Sequence, residues 1–355
     1  MDKNNYNARK EYRQKLALKK HINKELGKKI EGQGLKDFST IGRYMHGMNM
    51  YIDRGIIAAH LDFEPVTSLI ADKKSFTVVS GLNPSSPLHL GHLALFKFLK
   101  GLQDLGADVI IPLTNDESFI DGKASSIEDA RKLAYDEIIP SILSLGFDKE
   151  KTTFLIHSES MELYMQAMYF GSFVNMSTLN SLFGEDSVET ASKVYYRGAL
   201  QLTSILMPQL KGKKNVVVPV GIDQHPYLLL TRDVAYKVDL ILPSEVVFKF
   251  MPSLKNPLEK MSGSKPETAI YLTDTADIIK KKIKNAYTGS VSTLEGHRKY
   301  GAIPEICPVF QILNYHCEDQ KLVDEVYEKY RNGQMTAGEL KKLVTNYTTT
   351  LIAES

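Results

Sequence analysis

Two histidines three residues apart bracket a glycine in the run Pro84-Ser85-Ser-Pro-Leu-His89-Leu-Gly91-His92. A spacing of three puts both imidazoles on one helix face, where they can donate to phosphate oxygens or face a nucleotide. Gly91 lets a flat base approach the backbone closely, and the free N–H groups of a helix start favour an anion. A metal would need a third ligand, and none is evident beside the pair. The second chemical run is Lys260-Met261-Ser262-Gly263-Ser264-Lys265. Its lysines can meet charge that builds on a transferring phosphoryl group, and its hydroxyls can bind pyrophosphate oxygens. The third is Gly221-Ile-Asp223-Gln224-His225-Pro226-Tyr227, in which Asp and Gln can hold a ribose hydroxyl or an ammonium group. Alone, each run is more often plain surface; their order along the chain raises the nucleotide reading.

The elements expected to position these runs are short β-branched strands. Residues 75–80, 109–113, 153–156 and 216–220 each form such a run. Helical patterns lie between them, at 93–104 and 126–146. Alternation of this kind predicts an α/β domain with a doubly wound parallel sheet, Rossmann-like, with ligands at the strand ends. Residues 41–72 carry helical spacing around Ile56, Ile57, Leu61, Val66 and Leu69. Past residue 272 the pattern is helical throughout, with Thr273-Asp-Thr-Ala expected to cap the first helix. The expected domains are therefore a basic N-terminal helical extension and lead-in over 1–72, a catalytic domain over 73–272 and an all-helical domain over 273–355.

The composition excludes other classes. The 355 residues are 43% hydrophobic and 24% charged, which rules out a largely disordered chain, a collagen-like fibre and a disulfide scaffold. Cys307 and Cys317 read as core thiols of a reducing compartment. No apolar run is long enough for a transmembrane helix. The net charge is +2, yet residues 1–30 carry ten Lys and Arg against three acids. That segment is either a solvated helix or an arm for a polyanion such as RNA.

Taken together and in order, these runs resemble the class I aminoacyl-tRNA synthetases, within them the tryptophanyl branch of archaeal and eukaryotic type. His89-Leu-Gly-His92 is similar to the first motif of that class and Lys260-Met-Ser-Gly-Ser264 to the second. Further similar stretches are Val217 to Asp233, Ala269 to Thr275, Gly333 to Lys341 and Arg54 to His60. The resemblance implies amino-acid activation by ATP, then transfer to tRNA. The attacking carboxylate is already ionised at neutral pH, so positioning and charge stabilisation dominate.

It assigns His89, Gly91 and His92, with Pro84, Ser85, Asp223 and Met261, to ATP. Lys260, Ser262 and Ser264 go to the phosphates and the leaving pyrophosphate. Glu117, Gln201 and Gln224 go to the amino acid, and Mg2+ accompanies the ATP. No protein metal site is implied.

The chain also departs from the family. Where eukaryotic relatives hold the indole N–H, Val79 and Pro112 stand here. The aspartate that tyrosyl enzymes use for the phenol falls near Ser204, and the register slips by one residue before Gln201.

The resemblance further implies a cytoplasmic homodimer, with 175–184 where relatives pair, and no membrane contact. It implies tRNA contact by Lys280, Lys281, Lys282, Lys284, Arg298 and Lys299. At this point tyrosyl-type specificity and a paralogue that only binds tRNA or a protein both stay open behind tryptophan. A small-molecule nucleotidyltransferase lacks the lysine loop and the helical domain.

Overall fold

A computed structural model of the chain describes residues 3–184, 189–212 and 215–354. Met1, Asp2 and Ser355, ends of the expected domains, lie outside the described residues. The chain forms two compact units, one of 1–33, 88–94 and 250–355, the other of 34–87 and 95–249. These limits cut the chain at other places than residues 72 and 272.

The larger unit is built on a seven-stranded sheet. Its strands are β1 (Lys36–Asp37), β2 (Ile57–Leu61), β3 (Phe76–Val79), β4 (Ala107–Leu113), β5 (Thr152–Ile156), β6 (Val216–Val220) and β7 (Ser244–Phe248). The order is β1-β2-β7-β6-β3-β4-β5. From β7 to β5 all neighbours are parallel, and β1 and β2 add an antiparallel edge. The four expected strands are contiguous, β6-β3-β4-β5, and run out to one edge of the sheet. Three strands were not expected: the two-residue β1, β2 and β7. Ile57–Leu61 was read as helical but is β2, because it pairs with β7, a partner almost 200 residues on that periodicity cannot reveal. Ser244–Phe248, buried throughout, has no alternation to mark it.

The strands carry buried aliphatic and aromatic side chains, including Phe76, Val78, Val109, Ile111, Val217 and Val246. Each stabilises the fold by roughly 1.5–3 kcal/mol relative to exposure. The order reverses at β3, whose neighbours are β4 and β6, the kind of switch point where open α/β sheets bind ligands. There Ser80 Oγ donates to the Pro219 carbonyl at 2.7 Å. Gly81 follows, and a Cβ on it would lie 1.8 Å from the Pro112 oxygen, so only glycine fits.

The helices that matter below are, in chain order, α1 (Lys3–Gly32), α2 (Leu90–Asp104), α3 (Asn115–Ile120), α4 (Met161–Gly171), α5 (Met176–Phe183), α6 (Gln201–Leu210) and α7 (His225–Lys237). After them come α8 (Ala276–Lys284), α9 (Leu294–Tyr300), α10 (Pro308–His316), α11 (Gln320–Arg331) and α12 (Ala337–Ala353). A π-helical turn, Tyr196–Leu200, leads straight into α6. It holds one extra residue per turn and lies directly before Gln201, where the sequence register slips by one.

The smaller unit is helical, and α1 belongs to it. Tyr12 stacks on Tyr300 at 6.0 Å. Lys15 donates to the Tyr287 hydroxyl and the Thr288 carbonyl, and Lys19 pairs with Glu305 at 2.6 Å. Arg9, Lys10, Arg13, Lys20, Lys24, Lys28 and Lys29 remain exposed along the helix. Helix α12 starts on a capping box of Thr336 and Glu339. Helix α8 lacks the expected side-chain cap at Thr275; Asp274 instead accepts from the Tyr271 N–H at 3.0 Å and from Lys282 at 2.6 Å.

Candidate active site

In the smaller unit the segment 88–90 lies antiparallel to 270–272, with Leu90 N–H on the Ile270 carbonyl and Leu272 N–H on the Leu88 carbonyl. This pairing holds the start of α2. His89 and His92 stack face to face, ring centroids 3.7 Å apart and planes 16° from parallel. His89 Nδ1 accepts from the N–H groups of Gly91 at 3.1 Å and His92 at 3.3 Å. His92 Nδ1 accepts from the N–H of His89 at 3.4 Å. Every N–H from His89 to His92 is thereby occupied within the chain. The expectation of free helix-start amides for a phosphate is corrected: the histidines cap those amides themselves. Gly91 also has a second role, since a Cβ there would sit 3.0 Å from the His89 ring.

A backbone N–H can only donate, so both Nδ1 atoms are acceptors and both rings carry their hydrogen on Nε2. Burial pushes the His89 pKa well down, with His92 and Lys260 adding to it. Burial and Lys260 push His92 down to about 4. At neutral pH the pair is uncharged and offers two Nε2–H donors. The positive charge comes from Lys260, whose Nζ lies 4.8 Å from the Phe250 ring centroid.

The Met261 N–H donates to the Met251 carbonyl at 2.8 Å, fixing the start of the loop, and Met261 is buried. Ser262 and Ser264 share a 2.9 Å hydroxyl contact. Tyr271 donates to the Gly263 carbonyl at 2.7 Å. The smaller unit therefore brings His89, Gly91, His92, Lys260, Met261, Ser262 and Ser264 into one cluster of neutral donors, hydroxyls and a cation. That set suits a polyphosphate, and it contains no base.

The larger unit holds a second cluster. Glu117 sits on α3, directly after β4. Its Oε2 accepts from Thr114 Oγ1 at 2.7 Å, and the Tyr196 hydroxyl also bonds to it. Burial raises the Glu117 pKa, only partly opposed by the Thr114 bond. Gln201, the first residue of α6, donates from Nε2 to Gln224 Oε1 at 3.0 Å. A carboxylate and two amides of this kind suit an ammonium group. Val79 is buried with Ile205, Val216, Val218 and Leu228 and supplies only apolar surface. Pro84 is buried, Ser85 Oγ donates to Asn83 Oδ1 at 3.1 Å, and Asp223 is exposed on the turn Ile222–Gln224.

Sequence reasoning missed a network beside Glu117. His157 Nδ1 lies 3.1 Å from Asp116 Oδ1 and 3.3 Å from Oδ2. His157 Nε2 lies 2.9 Å from Ser204 Oγ. Asp116 Oδ2 also accepts from the Tyr164 hydroxyl at 2.9 Å, and Oδ1 from the Glu117 N–H at 2.9 Å. The signal was there in part, since His157 follows a strand end as Asp223 does. Tyr271 and Tyr196 were missed as well.

Of the six cations expected to face RNA, Lys282 is corrected: it pairs with Asp274 and lies over Tyr271. The other five are exposed.

Known proteins resemble this chain over most of its length. A family model described as tRNA synthetases class I (W and Y) matches residues 71–353. The tryptophan–tRNA ligase of Methanocaldococcus jannaschii is 37% identical over 325 residues, covering 89% of this chain and 87% of that protein. The crystal structure of the tryptophanyl-tRNA synthetase of Aeropyrum pernix superposes with a TM-score of 0.84 at 28% identity, over 93% of this chain and 92% of that one. That of Plasmodium falciparum gives 0.82 at 30% identity, over 93% and 92%. With the motif residues clustered as described and the likeness running almost end to end, this chain belongs to the class I tRNA synthetases, in their tryptophanyl family of archaeal and eukaryotic type.

Proposed function

We infer that the chain is a tryptophan–tRNA ligase. It activates tryptophan with ATP to the adenylate, releasing pyrophosphate, and transfers the aminoacyl group to tRNA(Trp). What supports this most is the near end-to-end likeness to tryptophan enzymes, with both class motifs intact and clustered. The tryptophan carboxylate attacks the α-phosphorus. His89 and His92 donate from Nε2 to the nucleotide, and the Lys260 ammonium meets the charge that grows on the departing pyrophosphate, with Ser262 and Ser264 on its oxygens. Glu117, Gln201 and Gln224 hold the substrate ammonium. Pro84, Ser85, Asp223 and Met261 complete the proposed nucleotide contacts. Mg2+ enters on the phosphates of ATP, whose oxygens suit it. The neighbouring Lys260, Ser262 and Ser264 fit those phosphates, not the ion. ATP–pyrophosphate exchange with each standard amino acid tests the reading: exchange with tryptophan supports it, exchange with tyrosine alone overturns the specificity, and none at all favours a binding paralogue.

The active form is a homodimer. Met165 and Met168, 66% and 69% exposed on α4, with Met161 and Met176 beside them in sequence, supply an apolar face. Within 175–184 Leu179 is core, so it is these methionines that would meet the partner. Met165→Asp with Met168→Asp should halve the mass in sedimentation; an unchanged mass removes this face from the interface. Arg9, Lys10, Lys280, Lys281, Lys284, Arg298 and Lys299 are the exposed cations proposed for tRNA phosphates. The cytoplasm is the proposed compartment, in keeping with two free buried thiols. No membrane contact is proposed; among the described residues no helix is long and apolar enough to cross one.

A further inference from the structure

Tryptophan brings an indole N–H into a buried site, and a buried donor without an acceptor weakens binding. Val79 and Pro112 have no polar side-chain atom to offer it. The larger unit holds another acceptor, in the linear set Asp116–His157–Ser204.

The hydrogen positions in that set follow from its ends. Burial works to raise the Asp116 pKa, but the bonds from His157, Tyr164 and the Glu117 N–H outweigh it and hold the group ionised. An anion 3.1 Å from His157 Nδ1 requires the ring hydrogen there. In the neutral ring His157 Nε2 is then a bare lone pair, and at 2.9 Å the Ser204 hydroxyl donates to it in preference to the Leu200 carbonyl at 3.2 Å. The single hydrogen of Ser204 is turned away, and its lone pairs remain. Ser204 is 4% exposed, and among the described residues no hydrogen-bond donor other than the His157 ring reaches Oγ. Its lone pairs can accept a ligand N–H.

Its location matches. Ser204 follows Gln201 by three residues on α6, about 4.5 Å along the same helix face. Asp116 directly precedes Glu117 on α3, and the His157 ring lies 6.2 Å from that of Tyr196, which bonds to Glu117. The groups for the ammonium and the spare acceptor thus sit on the same two elements, Gln201 and Ser204 on α6 and Glu117 and Asp116 on α3.

We propose that Ser204 Oγ accepts the indole N–H of bound tryptophan, and that His157 and Asp116 are positioning residues that fix its hydrogen. This rests on the tryptophan reading above. The test is pyrophosphate exchange with tryptophan and with β-(3-benzothienyl)alanine, in which sulfur replaces the indole N–H. The unaltered chain should prefer tryptophan by about 100-fold or more in kcat/KM. Ser204→Ala should lose at least about tenfold with tryptophan, mostly in KM, and little with the analogue, so the preference shrinks.

Asp116→Asn, which disturbs the imidazole tautomer, should also narrow the preference. Equal losses on both substrates, or none, in Ser204→Ala would overturn the proposal. An unchanged preference in Asp116→Asn overturns the positioning role. If the unaltered chain fails to exchange with tryptophan, the functional reading itself fails, which is a separate result.

Discussion

The two regions built around buried histidines use the same side chain in opposite ways. At the start of α2, backbone N–H groups press on Nδ1 of His89 and His92, so both rings present Nε2–H as a neutral donor. In the larger unit a carboxylate presses on Nδ1 of His157, so Nε2 becomes an acceptor and orients a serine. The partner on Nδ1 decides what the ring offers at its other nitrogen. Neither region needs an imidazolium, which fits a reaction whose nucleophile is ionised before it arrives. The positive charge is left to Lys260 in one region and, on the proposed binding mode, to the substrate's own ammonium in the other.

The contrast can be broken at several points. The largest effect is expected at Lys260, where charge develops only in the transition state. Lys260→Ala should lower the activation rate by about 100- to 1,000-fold with tryptophan KM nearly unchanged; a change confined to KM would contradict that role. Next comes Glu117→Gln, which should raise tryptophan KM by roughly 10- to 100-fold.

A pH series sharpens this second point. In the proposed role only the ionised Glu117 would bind the ammonium, and its pKa is raised by burial. Tryptophan binding should therefore tighten as pH rises through that raised value, and Glu117→Gln should abolish the dependence. A smaller loss, about tenfold, is expected for His92→Gln, which keeps an N–H donor but loses the ring that accepts from His89.

The smallest effect is on stability. The His92 pKa is depressed to about 4, so the unfolded chain takes up the proton first. Stability should fall as pH drops from about 6.5 towards 4, and His92→Gln should flatten that slope in thermal melts.

How much of this was legible depended on distance along the chain. The four strands β3 to β6, the two motifs and the helical C-terminal stretch are local patterns, and they were read from their own residues. The antiparallel strand β2 was misread because its apolar residues fit a helix as well as a strand, and pairing with β7 decides the matter. His157 was overlooked for a related reason. Its partners Asp116 and Ser204 are 41 and 47 residues away, and nothing in any one segment announces the set. Lys282 was misassigned because a helical lysine run does not reveal which member an aspartate eight residues back will claim. The capping of the α2 amides by His89 is the subtlest case: the sequence marks the two histidines, but not that their Nδ1 atoms serve the backbone.

The chain contains no tryptophan, so a bound substrate indole can be watched alone. The most direct measurement is the emission of added tryptophan, excited where tyrosine does not absorb, titrated with the protein and then with ATP. The account predicts saturable, blue-shifted emission as the indole enters a buried site, a further change on adding ATP, and no displacement by equimolar tyrosine. Emission identical to that of free tryptophan at every protein concentration, or displacement by tyrosine, would contradict it.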